Sequence, residues 1–404
     1  MAFLLSSKQE EFRRQTRNFI IREIAPSIVD YDLKEEFPLD NLNKLSNQGL
    51  MGLQVPIKYG GMGLGEVECG ILLEELGRIC SAHATIVGAH LGLCIGPILL
   101  FASEAQKNKY LPRLSSGEII GGFALTELAA GSDVKNIHTS AKKVGSDFVL
   151  NGSKIFCTNG DRANLVIVFA LTNKSHRSDR GITAFLVEHG MPGFTVGKVE
   201  SKTGIRASTT AELVFDNCVV PEENILGRPG MGLMIALTAL DGGRAGLAAG
   251  ALGVAEQALD QSIDFMTNDK AQSSIVNRQS LQGMIADMAM EIFAARLMTY
   301  NTLQEVHEYF KRLARKENIL RDSRHHVSRN CSIVKAYVSE VASRAVRKAL
   351  EIQAVEGLEV GQPLERYFRD SSIAEIYEGT NEIQRLIIAR DLLGLHSDKN
   401  DEEE

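Results

Sequence analysis

The chain has 404 residues, 44% of them apolar and 24% charged, with a net charge of −7. That length exceeds one small core and suits two or three packed domains. The acidic balance, which includes the tail Asp401 to Glu404, argues against a groove that tracks a nucleic acid backbone.

Helices come first. Ser7-Lys8-Gln9-Glu10 fits a capping box, Phe12, Phe19, Ile20 and Ile24 share one helical face, and Pro26 follows the predicted end. The opening MAFLLSSKQEEF has no basic start followed by a long apolar run, so we read no signal or transit peptide and expect a cytoplasmic protein. A second helix fits Asp40 to Gly49. After the loop VPIKYGGMGLG, helical character resumes at Glu66 and runs to about Leu114. Within it, Ile79 to Ser103 carries no charged residue and is long enough to span a bilayer. Gly88, Gly92, Gly96 and Pro97 interrupt this stretch, and His83 and His90 lie inside it. We therefore read two buried helices and no membrane span.

From Ile119 the pattern changes. The short β-rich runs FALTE, DFVLNG, LVIVFALT, ITAFLVE and AELVFDNCVV, separated by Gly, Asn and Asp, predict a β-barrel or sandwich up to Pro221. From Gly230 the apolar residues return to helical spacing, as in LQGMIADMAMEIFAARLMTY. Domains are thus expected at 1–118, 119–227 and 228–404, an α+β multidomain chain. Strands and helices do not alternate, so the glycine-rich runs are not a Rossmann fingerprint. The six cysteines are scattered with no Cys-x-x-Cys pair, which argues against a zinc site or disulfide scaffold and suits a reducing compartment. We assign no metal ligands.

Two polar patterns stand out in the C-terminal helical region. In LDGGR, Asp241 and Arg244 lie three apart, as a helix-face ion pair does. An arginine there can also steer or pair a carboxylate. In IYEGTNEIQR, Gly379 can take unusual backbone angles and Thr380 can cap a helix from Asn381 onward. Glu378 then reads either as a carboxylate at a positive helix end or as a base.

Taken in order and at compatible spacing, YGGMGLG, EELGRI, FALTELAAGSDV, NGSKIFCTNG, KTGIRASTTAELVFDNCVVPEENILG, LDGGRAGLAAGALGVAEQALD and IYEGTNEIQR resemble the acyl-CoA dehydrogenases. LDGGR and NGSKI look most like the short-chain, butyryl-CoA branch. The resemblance implies an N-terminal all-α domain, a middle β-barrel and a C-terminal four-helix bundle. It implies FAD, an acyl-CoA substrate desaturated to trans-2-enoyl-CoA, and an electron-transfer flavoprotein as acceptor. It implies a homotetramer or dimer of dimers, with a heteromer as the alternative.

Residue by residue, Phe123, Leu125 and Thr126 match the segment along the flavin, although FALTE is otherwise a plain strand. Ser132 matches a position shared by flavin and CoA contacts, and is otherwise a turn residue. Phe156 and Thr158 match the pair that covers one flavin face and bonds its edge, where the aromatic is often Trp. Cys157 between them reads as a small buried residue. Gln279, Thr380 and Glu382 match further cofactor contacts. Asp241, Arg244, Tyr377 and Gly379 match positions near the reacting end of the substrate. In some branches the base sits just before this arginine. Here Gly243 stands there, which leaves Glu378 as the base. Water exclusion should then raise its pKa.

The chain also departs from the family. Aligning on Gln279 puts Asn268, Ala271 and Gln272 where the family carries Arg, Phe and Gly that hold a neighbouring subunit's FAD. Ala354-Val355 replaces a Gly-Gly pair, and Glu351 a Gln. An extra segment, His307 to Asn330, holds seven Lys or Arg against three acids. It reads as a solvated helix or loop, or as a replacement for the lost pyrophosphate contacts, or as a partner surface. Three readings follow: a homo-oligomeric enzyme, a subunit whose partner completes the FAD site, or a flavin-poor relative. LGLCIGP lacks Lys and Arg, which weighs against a dicarboxylyl substrate.

Overall fold

The computed structural model describes residues 5–173, 181–267, 273–317 and 321–395. Helix α1 (Ser7–Phe19) starts one residue earlier than its sequence pattern suggests. Ser6 is the cap: its Oγ accepts from the Gln9 N–H at 3.3 Å, and Gln9 Oε1 accepts from the Ser6 N–H at 2.9 Å. Pro26 does not end the helical path. A π turn at Ile20–Ile24 and a 3-10 turn at Ala25–Ser27 carry it into α2 (Ile28–Lys34), with Pro26 in a first turn where its missing N–H costs nothing. Helix α3 spans Leu39–Asn47.

Helix α4 (Glu66–Ile79) is buried almost all round. The expected pair of helices after it is one continuous helical run: α5 (Ser81–Gly88), a π turn at Ala89–Ile95, and α6 (Gly96–Phe101). Pro97 falls in the first turn of α6, so it breaks nothing. By length and composition this run could cross a membrane, yet 56% of its apolar window is buried within the fold. It packs on α4 and on α8 (Gly232–Thr267), and its π turn meets strand β1 (Gly121–Ala124). Helices α4 and α8 cross closely because Gly77 and Gly253 lack side chains: a Cβ at either would stand 2.1 Å from a backbone oxygen of the other helix. Helix α7 (Glu104–Ser115) repeats the Ser–Gln cap of α1 at Ser103 and Gln106.

The β region adds β2 (Ser140–Val144), β3 (Asp147–Thr158), β4 (Leu165–Leu171), β5 (Ile182–Glu188), β6 (Phe194–Val199), β7 (Thr210–Pro221) and β8 (Ile225–Leu226). They form one sheet in the order β6-β7-β3-β2-β4-β5-β8, with β1 parallel to β4. Strand β4 is buried at every position because each face meets a different core. Val166, Val168 and Ala170 pack inside the β region with Phe148, Phe185 and Phe215. Leu165, Ile167, Phe169 and Leu171 join the core of the helices. The sheet is thereby a shared wall.

The C-terminal helices are α8, α9 (Ser273–Val276), α10 (Gln279–Ala314), α11 (Arg321–Gln353), α12 (Pro363–Ala374) and α13 (Asn381–Leu392). Helices α8, α10 and α11 pack on one another, and α13 lies on α11. The basic stretch 307–330 is not a separate loop where it is described: it ends α10 and opens α11. Among the described residues, some of its charged groups pair with other segments of this chain. His307 Nδ1 is 2.5 Å from Glu66 Oε2, and Arg329 Nη1 donates to Asp391 Oδ2 at 2.8 Å.

Candidate functional site

A cavity of about 850 Å³ opens where the sheet, the α4–α6 helices and the C-terminal bundle meet. That volume lies in the range of cofactor and substrate pockets. On the sheet side its wall includes Phe123, Leu125, Thr126, Ser132, Phe156 and Thr158. On the helical side it includes Arg244, Tyr377, Glu378, Gly379 and Thr380. Segments far apart in sequence thus share one wall.

A buried ion pair holds the sheet side. Lys154 Nζ donates to Leu125 O at 3.0 Å and to Glu127 Oε1 at 2.7 Å. The Glu127 oxygens also accept the His138 and Thr139 N–H groups at 2.6 and 3.0 Å. Burial pushes the Glu127 carboxyl up, but Lys154 and these donors outweigh it and hold the group below its ordinary value. Ile155 N–H donates to Thr126 O at 2.9 Å, so the FALTE backbone is pinned from two directions.

Strand β3 then breaks register with β7 between Lys154 and Cys157. The bulge takes Phe156 to φ 56°, a left-handed value uncommon for a bulky residue, and leaves its ring 61% exposed on the cavity wall. Cys157 turns inward and is 2% exposed, and burial pushes its thiol up to about 12. A flat apolar ring turned out of a pinned strand suits one face of a planar heteroaromatic group. The residues present fit a flavin.

On the helical side, Glu378 follows α12 with φ 55°. Its Oε2 is shut off from water and has no hydrogen-bond partner. Burial pushes the carboxyl up to about 7, against the pull of Arg244 and Lys335. The carboxylate has room only because residue 243 is glycine: a Cβ there would stand 2.4 Å from Glu378 Oε2 and 2.9 Å from Leu93 Cδ2. Arg244 is buried, donating through Nη1 to Asp241 Oδ1 at 3.0 Å and through Nε to Glu378 O at 3.3 Å. Tyr377 OH lies 3.4 Å from Thr85 Oγ1, and burial pushes its phenol up to about 12. Thr380 caps α13 by accepting the Ile383 N–H.

Three predicted site residues are not on this wall. Asp241 lies behind it, 4% exposed, accepting from Arg244 and from Ser328 Oγ at 2.9 Å. It can orient Arg244 but does not face the cavity. Gln279 is the exposed first residue of α10, and Glu382 is exposed in the first turn of α13. Asn268, Ala271 and Gln272 lie outside the described residues. Ala354 takes φ 50°, a left-handed angle that favours glycine, and Val355 beside it is 76% exposed.

Sequence reading missed Lys335, Gln384 and Asn381, which sit behind Glu378 and Gly379. Lys335 Nζ donates to Gly379 O and to Asn381 Oδ1, each at 2.9 Å. Gln384 Nε2 donates to Gly379 O at 2.9 Å and to Glu378 O at 3.3 Å. A signal for Lys335 exists. It falls on the α11 stripe of Cys331, Val338, Ala342, Ala345 and Ala349, all buried, where a lysine is out of place.

The chain matches the family descriptions Acyl-CoA dehydrogenase, N-terminal domain, over residues 6–118, middle domain over 122–218, and C-terminal domain over 230–393. The chain belongs to the acyl-CoA dehydrogenase family. Membership makes it an FAD-dependent oxidoreductase of acyl-CoA thioesters. It is 40% identical over 392 residues to an acyl-CoA dehydrogenase of Bacillus subtilis, covering 96% of this chain and 99% of that one. The solved butyryl-CoA dehydrogenase of Megasphaera elsdenii superposes with a TM-score of 0.90 at 38% identity, covering 97% of this chain and 100% of that one. A chain from the structural work on the electron transferring flavoprotein of Acidaminococcus fermentans gives the same TM-score, identity and coverage.

Proposed function

We propose that this acyl-CoA dehydrogenase acts on short acyl-CoA thioesters, with Glu378 taking the α-proton to give the trans-2-enoyl-CoA. The observation that carries this reading is Glu378, a residue of the cavity wall whose carboxylate oxygen Oε2 is buried with no partner. A carboxyl held near neutral pH by burial is matched to general-base work. FAD, when bound, supplies the acceptor for the hydride leaving the β-carbon. Phe123, Leu125, Thr126, Ser132, Phe156 and Thr158 would hold it on the sheet side. The Glu378 N–H would donate to the thioester oxygen and stabilise the enolate-like charge as the α-proton leaves. Arg244 holds the Glu378 carbonyl, and Tyr377 and Gly379 close the pocket around the thioester.

The butyryl-CoA dehydrogenase relative supports a short acyl group. Leu91, Gly92, Leu93 and Gly96 of LGLCIGP line the cavity without a cation, which disfavours a dicarboxylyl substrate. We further propose an electron-transfer flavoprotein as acceptor, a role in β-oxidation, a homotetramer in solution, and a cytoplasmic location. The test is E378Q with a panel of acyl-CoA lengths and a dye acceptor. The variant should bind substrate and lose turnover by roughly 10²–10⁴-fold. Wild-type turnover in E378Q would overturn the assignment of the base.

A further inference from the structure

We infer that Lys335 is a positioning residue for the reaction: a buried cation that, with Arg244 and Gln384, clamps the Glu378 and Gly379 carbonyls and so fixes the direction of the Glu378 side chain. This rests on Glu378 being the base.

Glu378 occupies a backbone angle that only a surrounding structure can enforce, φ 55°, and Gly379 follows at φ 90°. Two consecutive residues in the left-handed half of the map hold their carbonyls toward donors on α8, α11 and α13. Each carbonyl then needs a partner, because both are partly withdrawn from water. The structure supplies three donors from three elements. Arg244 of α8 and Gln384 of α13 reach Glu378 O, each at 3.3 Å. Lys335 of α11 and Gln384 reach Gly379 O, each at 2.9 Å. Lys335 also holds Asn381 Oδ1 at 2.9 Å, which ties the first residue of α13 to the same ammonium. Asn381 is itself fixed by Ser339 Oγ, which accepts from its Nδ2 at 3.0 Å.

A glutamine at 335 could donate to these acceptors through its two N–H groups but would carry no charge. An ammonium satisfies two acceptors and carries charge, and burying it is expensive unless that charge is used. The charged groups around it are Arg244 on α8, Glu375 and Glu378 between α12 and α13, Glu382 on α13 and Glu340 on α11. Of these, Glu378 is the largest electrostatic influence on Lys335. Lys335 therefore acts on the base in two ways: it sets the geometry of the loop, and it favours the charged form of the carboxylate. Burial in turn draws Lys335 down to about 8.

The experiment is K335M in the flavin-loaded enzyme. Two readouts are followed: the pH dependence of kcat/KM, and the Glu378 carboxyl stretch in infrared difference spectra, assigned with E378Q. The expected kcat falls by about 10- to 100-fold with KM little changed, as for a base displaced by a fraction of an ångström. The acid limb of kcat/KM and the infrared titration should both move to higher pH, and K335R should return the limb toward its original place. A structural lysine would lower stability and leave both midpoints where they were. That result, or wild-type kcat in K335M, overturns the proposal. K335Q keeps an amide for Gly379 O without the charge, and the same two midpoints are read from it if K335M does not fold. The infrared titration reads the clamp even if E378Q proves active, so failure of the clamp and failure of the base assignment are distinguishable.

Discussion

Gly243 and Glu378 face each other with no space for a side chain between them. A Cβ on residue 243 would stand 2.4 Å from Glu378 Oε2 and 2.9 Å from its Cδ. In family branches whose base stands just before the arginine, that base enters from the position of Gly243. The two positions thus compete for one volume, and in this chain the Glu378 carboxylate occupies it.

G243A should therefore displace the carboxylate, because Leu93 closes the other side at 2.9 Å. The expected loss of kcat is about 10²-fold, with the protein still folded and flavin still bound. Steady-state kinetics beside a flavin spectrum decide it; an unchanged kcat would show that the carboxylate works from another position.

Glu378 should make the protein less stable as pH rises. Its carboxyl is raised from 4.5 to about 7, mainly by burial. Between those values the folded chain keeps a proton that the unfolded chain has released, so stability falls with pH, and the whole penalty is present above pH 7. E378Q, which cannot ionise, should be more stable than the parent at pH 8, on the order of 2–3 kcal/mol, and indistinguishable at pH 4.5. Denaturant unfolding at the two pH values measures this. Equal stabilities at pH 8 would refute it.

Phe156 is built to meet a ligand rather than a core. Its ring is 61% exposed on the cavity wall, so F156A should change the stability of the flavin-free protein by no more than about 0.5 kcal/mol. Flavin retained through purification should fall. A large drop in thermal stability with full flavin content would instead make the ring a packing residue.

The Lys154–Glu127 pair is the support under the FALTE backbone. K154M leaves the Glu127 carboxylate buried without its cation and should cost about 3–5 kcal/mol. E127Q added to K154M should recover part of that loss, because the uncompensated charge is gone. Thermal unfolding of the single and double variants reads both; additive losses would show that the pair is not coupled.

Much of the fold was legible because it follows period and punctuation. The β-branched, aromatic run LVIVFALT and the spacing in LQGMIADMAMEIF carry strand and helix directly. The apolar stretch from Ile79 to Ser103 was divided wrongly because glycines and Pro97 punctuate as strongly in sequence as true breaks do. The structure absorbs them in a π turn and a first helical turn. Phe156 could be named from its motif. The bulge that exposes it could not, because a register shift belongs to the pairing of β3 with β7. Asp241 and Arg244 read correctly as an ion pair, but only packing shows which of them faces the cavity.

The sequence by itself determined the order of helical and β regions and the family motifs that single out the Glu378 carboxylate, because those depend on local spacing and on residue type. Tertiary structure alone decided the environment of that carboxylate. Gly243, Leu93, Arg244, Lys335 and Gln384 come from four separate segments of the chain, and they meet at Glu378 only once the helices pack. Burial, and with it the shift of the carboxyl toward neutral pH, is a property of that meeting and of no single stretch.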